Sequence, residues 1–136
     1  DLEAQFGAGL PHFRPAKKTM PFTLVTPASD KRINATFGGC ETSSGPEKLE
    51  MHPDDAKARG LTDGQDVLLW NERGEVALTL QETDAMQPGV VYVAKGAWLA
   101  TSETGLTVNA LISVDSRCDL IGGAAYNDTF VDVRAK

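Results

Sequence analysis

The sequence predicts a mainly β domain, a small barrel or sandwich, and three observations carry that prediction. Short β-branched runs recur between turn signals built from Gly, Pro, Asn and Asp. Only one segment carries a full set of helix signals. The length, 136 residues, suits a single core of ordinary size. With 41% hydrophobic and 24% charged residues, the composition excludes disordered and fibrous classes.

Taken in order, residues 1–21 carry Gly7, Gly9, Pro11 and Pro15 with little periodicity, so they read as an extended arm ahead of a domain at residues 22–136. Residues 22–26 (Phe-Thr-Leu-Val-Thr) form a strand ended by Pro27. Residues 34–37 are a weaker extended stretch ended by Gly38 and Gly39, and residues 41–48, with Ser43, Ser44, Gly45 and Pro46, read as a loop. A short strand at residues 49–51 leads into the helix at residues 53–59. There Pro53 suits the first helical position, Asp54 and Asp55 complement the positive helix end, and Lys57 and Arg59 complement the negative end. Gly60 supplies the left-handed cap.

Residues 66–71 form a strand too apolar on both faces to be solvent-exposed, and residues 75–82 its hairpin partner, with Gly74 expected in the left-handed position of the turn. In the second strand Val76, Leu78 and Leu80 alternate with Ala77, Thr79 and Gln81, the period of a half-buried strand. Pro88 and Gly89 turn into a strand at residues 90–94, residues 101–105 are loop, and residues 130–134 close the set with Val131 and Val133 on one face.

Several function classes are disfavoured. A formal charge of −6 opposes a nucleic-acid surface, which needs clustered Lys and Arg. No apolar run is long enough to span a bilayer, and the first residues lack the basic and apolar regions of a signal peptide. The cytoplasm is therefore the expected compartment, with the periplasm as the alternative. Cys40 and Cys118 show no metal or redox spacing and read as free buried thiols. His12 and His52 lie apart without a ligand pattern, so no metal site and no nucleophile–base pair is expected. Asn34-Ala-Thr36 and Asn127-Asp-Thr129 match the glycosylation acceptor by chance.

Four segments, in order and at their spacing, carry a resemblance. They are Phe22-Thr-Leu-Val-Thr-Pro-Ala-Ser29 with Arg32-Ile-Asn-Ala-Thr-Phe37; Leu49-Glu-Met-His-Pro-Asp-Asp-Ala56 with Arg59-Gly-Leu-Thr-Asp-Gly64; Val67 to Trp70 with Asn71-Glu-Arg-Gly-Glu-Val76; and Asn109-Ala-Leu111 with Gly122-Gly-Ala-Ala-Tyr-Asn-Asp128. Together they resemble the molybdopterin-dinucleotide-binding domain of the dimethyl-sulfoxide-reductase superfamily, which includes formate dehydrogenases and nitrate reductases. The resemblance implies a six-stranded double-psi β-barrel with one or two short helices, lying last in a much larger molybdenum or tungsten oxidoreductase. It implies molybdopterin guanine dinucleotide, in the bis form in the parent enzyme, with an iron–sulfur cluster only in the parent. Its partners would be the remaining domains and an electron-transfer subunit.

Such a ligand offers a pyrophosphate, a ribose, a guanine and a polar pterin, so its site needs hydroxyls, backbone N–H groups and positive charge. The first loop supplies them in Thr26, Ser29, Lys31, Arg32 and Asn34. A carboxylate recognises guanine through N1–H and N2–H₂. Asp119, Asn127 and Asp128 are the late candidates, and Asn109 can fix a pterin or loop carbonyl. Tyr126 and Trp98 can stack on a ring, although aromatic residues more often pack in a core. Turn-forming roles compete for Thr26, Ser29, Asn127 and Asp128. Two departures stand out: His52 replaces the Asn common before the helix-starting Pro, and Ala28-Ser29 replaces a turn that often carries Arg, a charge that Lys31 and Arg32 can supply.

The segments hold no metal ligand of that family and no cysteine-rich cluster motif, so the isolated domain is expected to be a cofactor cradle without catalytic residues. A start without Met fits a domain of a longer protein. The alternatives are a stand-alone subunit similar to the small subunit of formylmethanofuran dehydrogenase, or a double-psi barrel serving as a protein-interaction module. The barrel of aspartate decarboxylase cleaves a Gly-Ser bond, and this chain has no Gly-Ser pair.

Overall fold

The computed structural model describes the chain except residues 1, 8, 11, 12, 14, 41–46, 103, 118–121 and 126. A five-residue helix α1 (Leu2–Phe6) precedes strand β1 (Phe22–Val25), β2 (Lys48–Met51), helix α2 (Pro53–Ala58), β3 (Asp66–Asn71), β4 (Gly74–Glu82), β5 (Val90–Tyr92) and β6 (Phe130–Ala135). Short 3₁₀ turns occupy Leu99–Thr101 and Val108–Leu111. The six strands close into a barrel in the order β1-β5-β2-β4-β3-β6. β1 with β5 and β2 with β4 are parallel, and the other neighbours run antiparallel. Mainly β, closed and six-stranded, this is the expected fold class, and the mixed pairing is consistent with a double-psi connection.

Alternation sets which residues fill the barrel. The buried positions run Phe22 and Leu24, Leu49 and Met51, Val67 and Leu69, Val76, Leu78 and Leu80, then Val91, Val131 and Val133. Register places these residues opposite one another: Leu24 faces Val91, Leu49 faces Leu80, Leu69 faces both Val76 and Val133. Each strand thus contributes one apolar face to a common interior, and each such side chain stabilises the fold by about 1.5–3 kcal/mol relative to exposure.

α2 starts and stops as its sequence dictates. His52 is the N-cap, its Nδ1 accepting from the Asp54 N–H at 3.1 Å, so His performs the capping that Asn would. Gly60 takes the left-handed φ of 66° just past the helix, which ends at Ala58 with Arg59 as C-cap. Ala56 is the residue the helix buries.

Several local expectations need correction. The arm is not wholly extended, since it carries α1, whose Glu3, Ala4 and Gln5 are exposed and stay outside the core. Residues 34–37 form a tight turn instead of a strand, with Ile33 bridging Thr36 and the Thr36 N–H donating to the Ile33 carbonyl at 2.9 Å. Asn34 at φ 51° and Phe37 at φ 69° reverse the chain before it can pair with a neighbour. The β3–β4 turn does not use Gly74 in a left-handed conformation. Gly74 already pairs with Asn71 as the first residue of β4, and Asn71 Oδ1 closes the turn by accepting from the Arg73 N–H at 2.9 Å. Lys48 belongs to β2, and β5 ends at Tyr92 although Val93 remains buried. Cys40 is free but exposed, and Cys118 lies outside the described residues.

Candidate functional site

Topology decides which loops meet. β1 and β5 are parallel, so the chain leaves both at the same end of the barrel. β6 runs antiparallel to β1 with Phe130 opposite Thr23, so the segment entering β6 lies at that end. β3 is antiparallel to β6 and brings the β3–β4 turn there too. One barrel end therefore gathers residues 26–39, the segment after β5, the β3–β4 turn and residues 127–129. A buried side chain ties these together: Asn71 Nδ2 donates to the Leu111 carbonyl at 2.8 Å and reaches the Phe130 carbonyl at 3.4 Å. Asn71 thereby fixes the turn carrying Asn109 against the start of β6.

Most candidate residues fall on this end. Asn34, Lys31, Asn109, Asn127 and Asp128 are exposed, and Thr26 is half-buried where β1 ends. Ser29 is half-buried, and its Oγ accepts from the Lys31 N–H at 3.3 Å, which closes a turn within the loop. The Asp128 N–H donates to the Ala125 carbonyl at 3.3 Å, leaving its carboxylate exposed. Asp119 and Tyr126 lie outside the described residues.

Arg32 is the exception to an open donor set. Only 7% exposed, it makes a two-pronged pair with Glu47, Nη1 to Oε1 at 2.6 Å and Nη2 to Oε2 at 2.8 Å. Its Nε is buried without a hydrogen-bond partner. The Glu47 hydrogen bonds hold the guanidinium charged, lifting its pKa above the ordinary value, and they engage two of its three nitrogens inside the protein. Arg32 thus anchors the loop to the start of β2, and the solvent-facing cation of the loop is Lys31. Nearby, burial raises the Tyr92 phenol above its ordinary pKa, and the carboxylates of Glu50 and Asp30 reinforce the shift.

A cavity of about 210 Å³ opens between the middle of β4 and the segment after β5, with Glu47, Thr79, Thr101, Thr107 and Trp98 on its walls. Trp98 neither packs in the core nor stands free: 45% exposed, it donates from Nε1 to the Ala35 carbonyl at 2.6 Å. Sequence reasoning missed Glu47, Asn71 and this bond. Asn71 had a signal, because it occupies the inward parity of β3 after Val67 and Leu69, where a polar side chain must find buried partners. Glu47 had none, since a charge flanking a loop names no partner.

Among the described residues no group of three His, Cys, Asp or Glu side chains could hold a metal, and no helix is long and apolar enough to cross a membrane. Among the described residues this end offers hydroxyls, amides, the exposed Lys31 ammonium and Arg73 guanidinium, the exposed carboxylates of Asp30, Glu72 and Asp128, and the buried Arg32 guanidinium with an unpaired N–H. That donor set fits an anionic nucleotide whose base presents N–H groups. The fold and site define a β-barrel domain that binds a ligand with its loops.

The chain belongs to the Molydopterin dinucleotide binding domain family, whose sequence pattern matches residues 22–130. It is 46% identical over 85 residues to biotin sulfoxide reductase from Cereibacter sphaeroides, a match covering 59% of this chain and 11% of that protein. Against dimethyl sulfoxide reductase DmsA from Escherichia coli (strain K12) it is 35% identical over 86 residues, covering 62% of this chain and 11% of that protein. Acetylene hydratase from Pelobacter acetylenicus shares the fold with a TM-score of 0.74 at 17% identity, covering 100% of this chain and 23% of that one. The chain therefore matches only a small part of each relative. It is a molybdopterin-dinucleotide-binding domain.

Proposed function

We propose that this domain holds the guanine form of the dinucleotide as the C-terminal part of a molybdenum or tungsten oxidoreductase. The observation that supports this most is the meeting of residues 26–39, Asn109 and residues 127–128 at one barrel end. Thr26, Lys31 and Asn34 would contact the pyrophosphate and ribose, and Asp128 would accept from guanine N1–H and N2–H₂ beside Asn127. Asn109 would address the pterin side, Ser29 and Arg32 would shape the loop, and Asp119 and Tyr126 would complete the base contacts. In the parent enzyme the cofactor is the bis form, and the bound metal supplies the two-electron redox chemistry. Electrons would pass through an iron–sulfur cluster or an electron-transfer subunit outside this chain, and the other domains would enclose the ligand.

Titration calorimetry with dinucleotide cofactor released from a molybdopterin enzyme tests this. The folded chain is expected to give heat with the guanine dinucleotide and less with the cytosine form. Asp128→Asn should erase most of that preference, and Lys31→Ala should weaken both by about fivefold. No heat from a chain that is demonstrably folded would defeat the proposal.

A further inference from the structure

The loop holding Asn34 is fixed by a side chain from a distant segment. Trp98 Nε1 donates to the Ala35 carbonyl at 2.6 Å across 63 residues of sequence. Its ring lies against two consecutive glycines: a Cβ on Gly38 would come within 2.5 Å of Trp98 Cδ1, and one on Gly39 within 2.6 Å of Trp98 Cζ3. Real Cβ atoms do not approach so closely, so the ring rests on bare backbone. Gly96, at φ 97°, packs against the carbonyl of Asn34 so tightly that any side chain there would overlap the oxygen. The Trp98 backbone is itself pinned, its carbonyl accepting from both the N–H and Oγ1 of Thr101 at 3.1 Å.

Asn34 sits between two such anchors. On one side Arg32 is locked to Glu47; on the other, Ala35 is locked to Trp98. Between them Asn34 adopts φ 51°, in the left-handed region that Asn enters more readily than other non-glycine residues, and it is left exposed.

We infer that Trp98 is a positioning residue: its indole clamps the Gly38–Gly39 backbone and the Ala35 carbonyl, and so presents the Asn34 side chain to the dinucleotide in a fixed direction. A loop ordered before binding does not lose its freedom on binding, which is the source of the affinity gain. The part concerning the ligand rests on the proposed function, whereas the clamp exists in the free chain and is testable there.

The experiment uses ¹⁵N NMR and calorimetry on the wild-type chain, Trp98→Phe, Gly39→Ala, Asn34→Ala and the Trp98→Phe/Asn34→Ala double variant. Trp98→Phe keeps a ring but lacks the donor; Gly39→Ala pushes the ring away without altering Trp98. In the free wild-type chain the Trp98 indole N–H should exchange with solvent at least tenfold more slowly than free indole. Both single clamp variants should move the Asn34 amide resonances toward those of a mobile loop. With dinucleotide cofactor as the probe, Trp98→Phe and Asn34→Ala should each weaken binding about five- to tenfold, and the double variant no more than either. Fast indole exchange overturns the clamp. So does Trp98→Phe that lowers the melting temperature while leaving the Asn34 signals and affinity unchanged, or losses that multiply in the double variant. Absence of any heat with the wild-type chain sinks the proposed function instead, and the clamp is then decided by the NMR result alone.

Discussion

The β3–β4 hairpin and the loop at residues 26–39 are both ordered by hydrogen bonds, but the bonds differ in kind. Along the hairpin, residues 66–71 pair with 74–79 through the backbone ladder, the inward pairs Val67–Leu78 and Leu69–Val76 are apolar, and the turn is closed by the Asn71 side chain two residues from Arg73. In the loop the anchoring bonds come from side chains distant in sequence: Glu47 holds Arg32 from 15 residues away and Trp98 holds Ala35 from 63. The hairpin would tend to form wherever its sequence was placed next to a core. The loop has its shape only because the rest of the barrel is already in place. Stability is thus concentrated in the locally encoded wall, and ligand-facing geometry in the part that depends on tertiary contacts.

The largest expected effect breaks the wall. Leu69 is fully buried between Val76 and Val133, so Leu69→Ala should cost about 4 kcal/mol in denaturant unfolding, from lost transfer energy plus the cavity left behind. A loss below about 1 kcal/mol would mean that the barrel interior is not the main source of stability.

Breaking the loop's first anchor should cost less. Glu47→Gln leaves the Arg32 charge buried without its partner, at about 2 kcal/mol, moderated because the Glu47 side chain retains 20% exposure. Replacing both residues by Met should recover most of that stability while leaving the loop disordered by NMR. Equal losses in the single and double variants would show that the pair is not a strut. Asn71 joins the two regions, and Asn71→Ala should cost about 1.5 kcal/mol by stranding the Leu111 carbonyl. Hydrogen exchange should then rise at both the β3–β4 turn and the start of β6; a rise at the turn alone would refute the bridging role.

How much could be read in the sequence follows the same division. β3 was legible to the residue, and β4 nearly so, because Val67, Leu69, Val76, Leu78 and Leu80 write a period of two. α2 was legible because its cap, first-turn acids and terminal glycine lie within the segment itself. Residues 34–37 read as extended because Thr36 and Phe37 suit strands, whereas the left-handed Asn34 and Phe37 make a turn whose backbone packs against Gly96 and Trp98. Arg32 was read as a phosphate contact because nothing within its segment indicates Glu47. Site residue types were legible; which of them are free to meet a ligand was not, because that depends on partners supplied by other strands.

A smaller effect tests the helix on the wall side. His52→Ala removes the acceptor for the Asp54 N–H and should cost about 1 kcal/mol, whereas His52→Asn should stay within a few tenths. A loss for Asn as large as for Ala would show that His52 acts through something other than capping.

The last expectation concerns pH, at the boundary of the two regions. Tyr92 pairs in register with Glu50 on β2, and its phenol is raised above its ordinary value of 10.0 first by burial, then by Glu50 and Asp30. Folded protein therefore keeps this proton at pH values where the unfolded chain has lost it. The folded state binds more protons, so unfolding free energy falls as pH rises through that window; the contribution is complete below about pH 10 and lost above the folded pKa. Tyr92→Phe has no proton to lose. The two proteins should show parallel stability from neutral pH to about pH 9, and the wild type should then decline more steeply toward about pH 11. Arg32 titrates too far above this range to contribute, its pKa being raised further above the ordinary guanidinium value by the Glu47 hydrogen bonds. Identical alkaline slopes would mean that Tyr92 is solvated in solution and that the start of the β5 loop is looser than the barrel wall beside it.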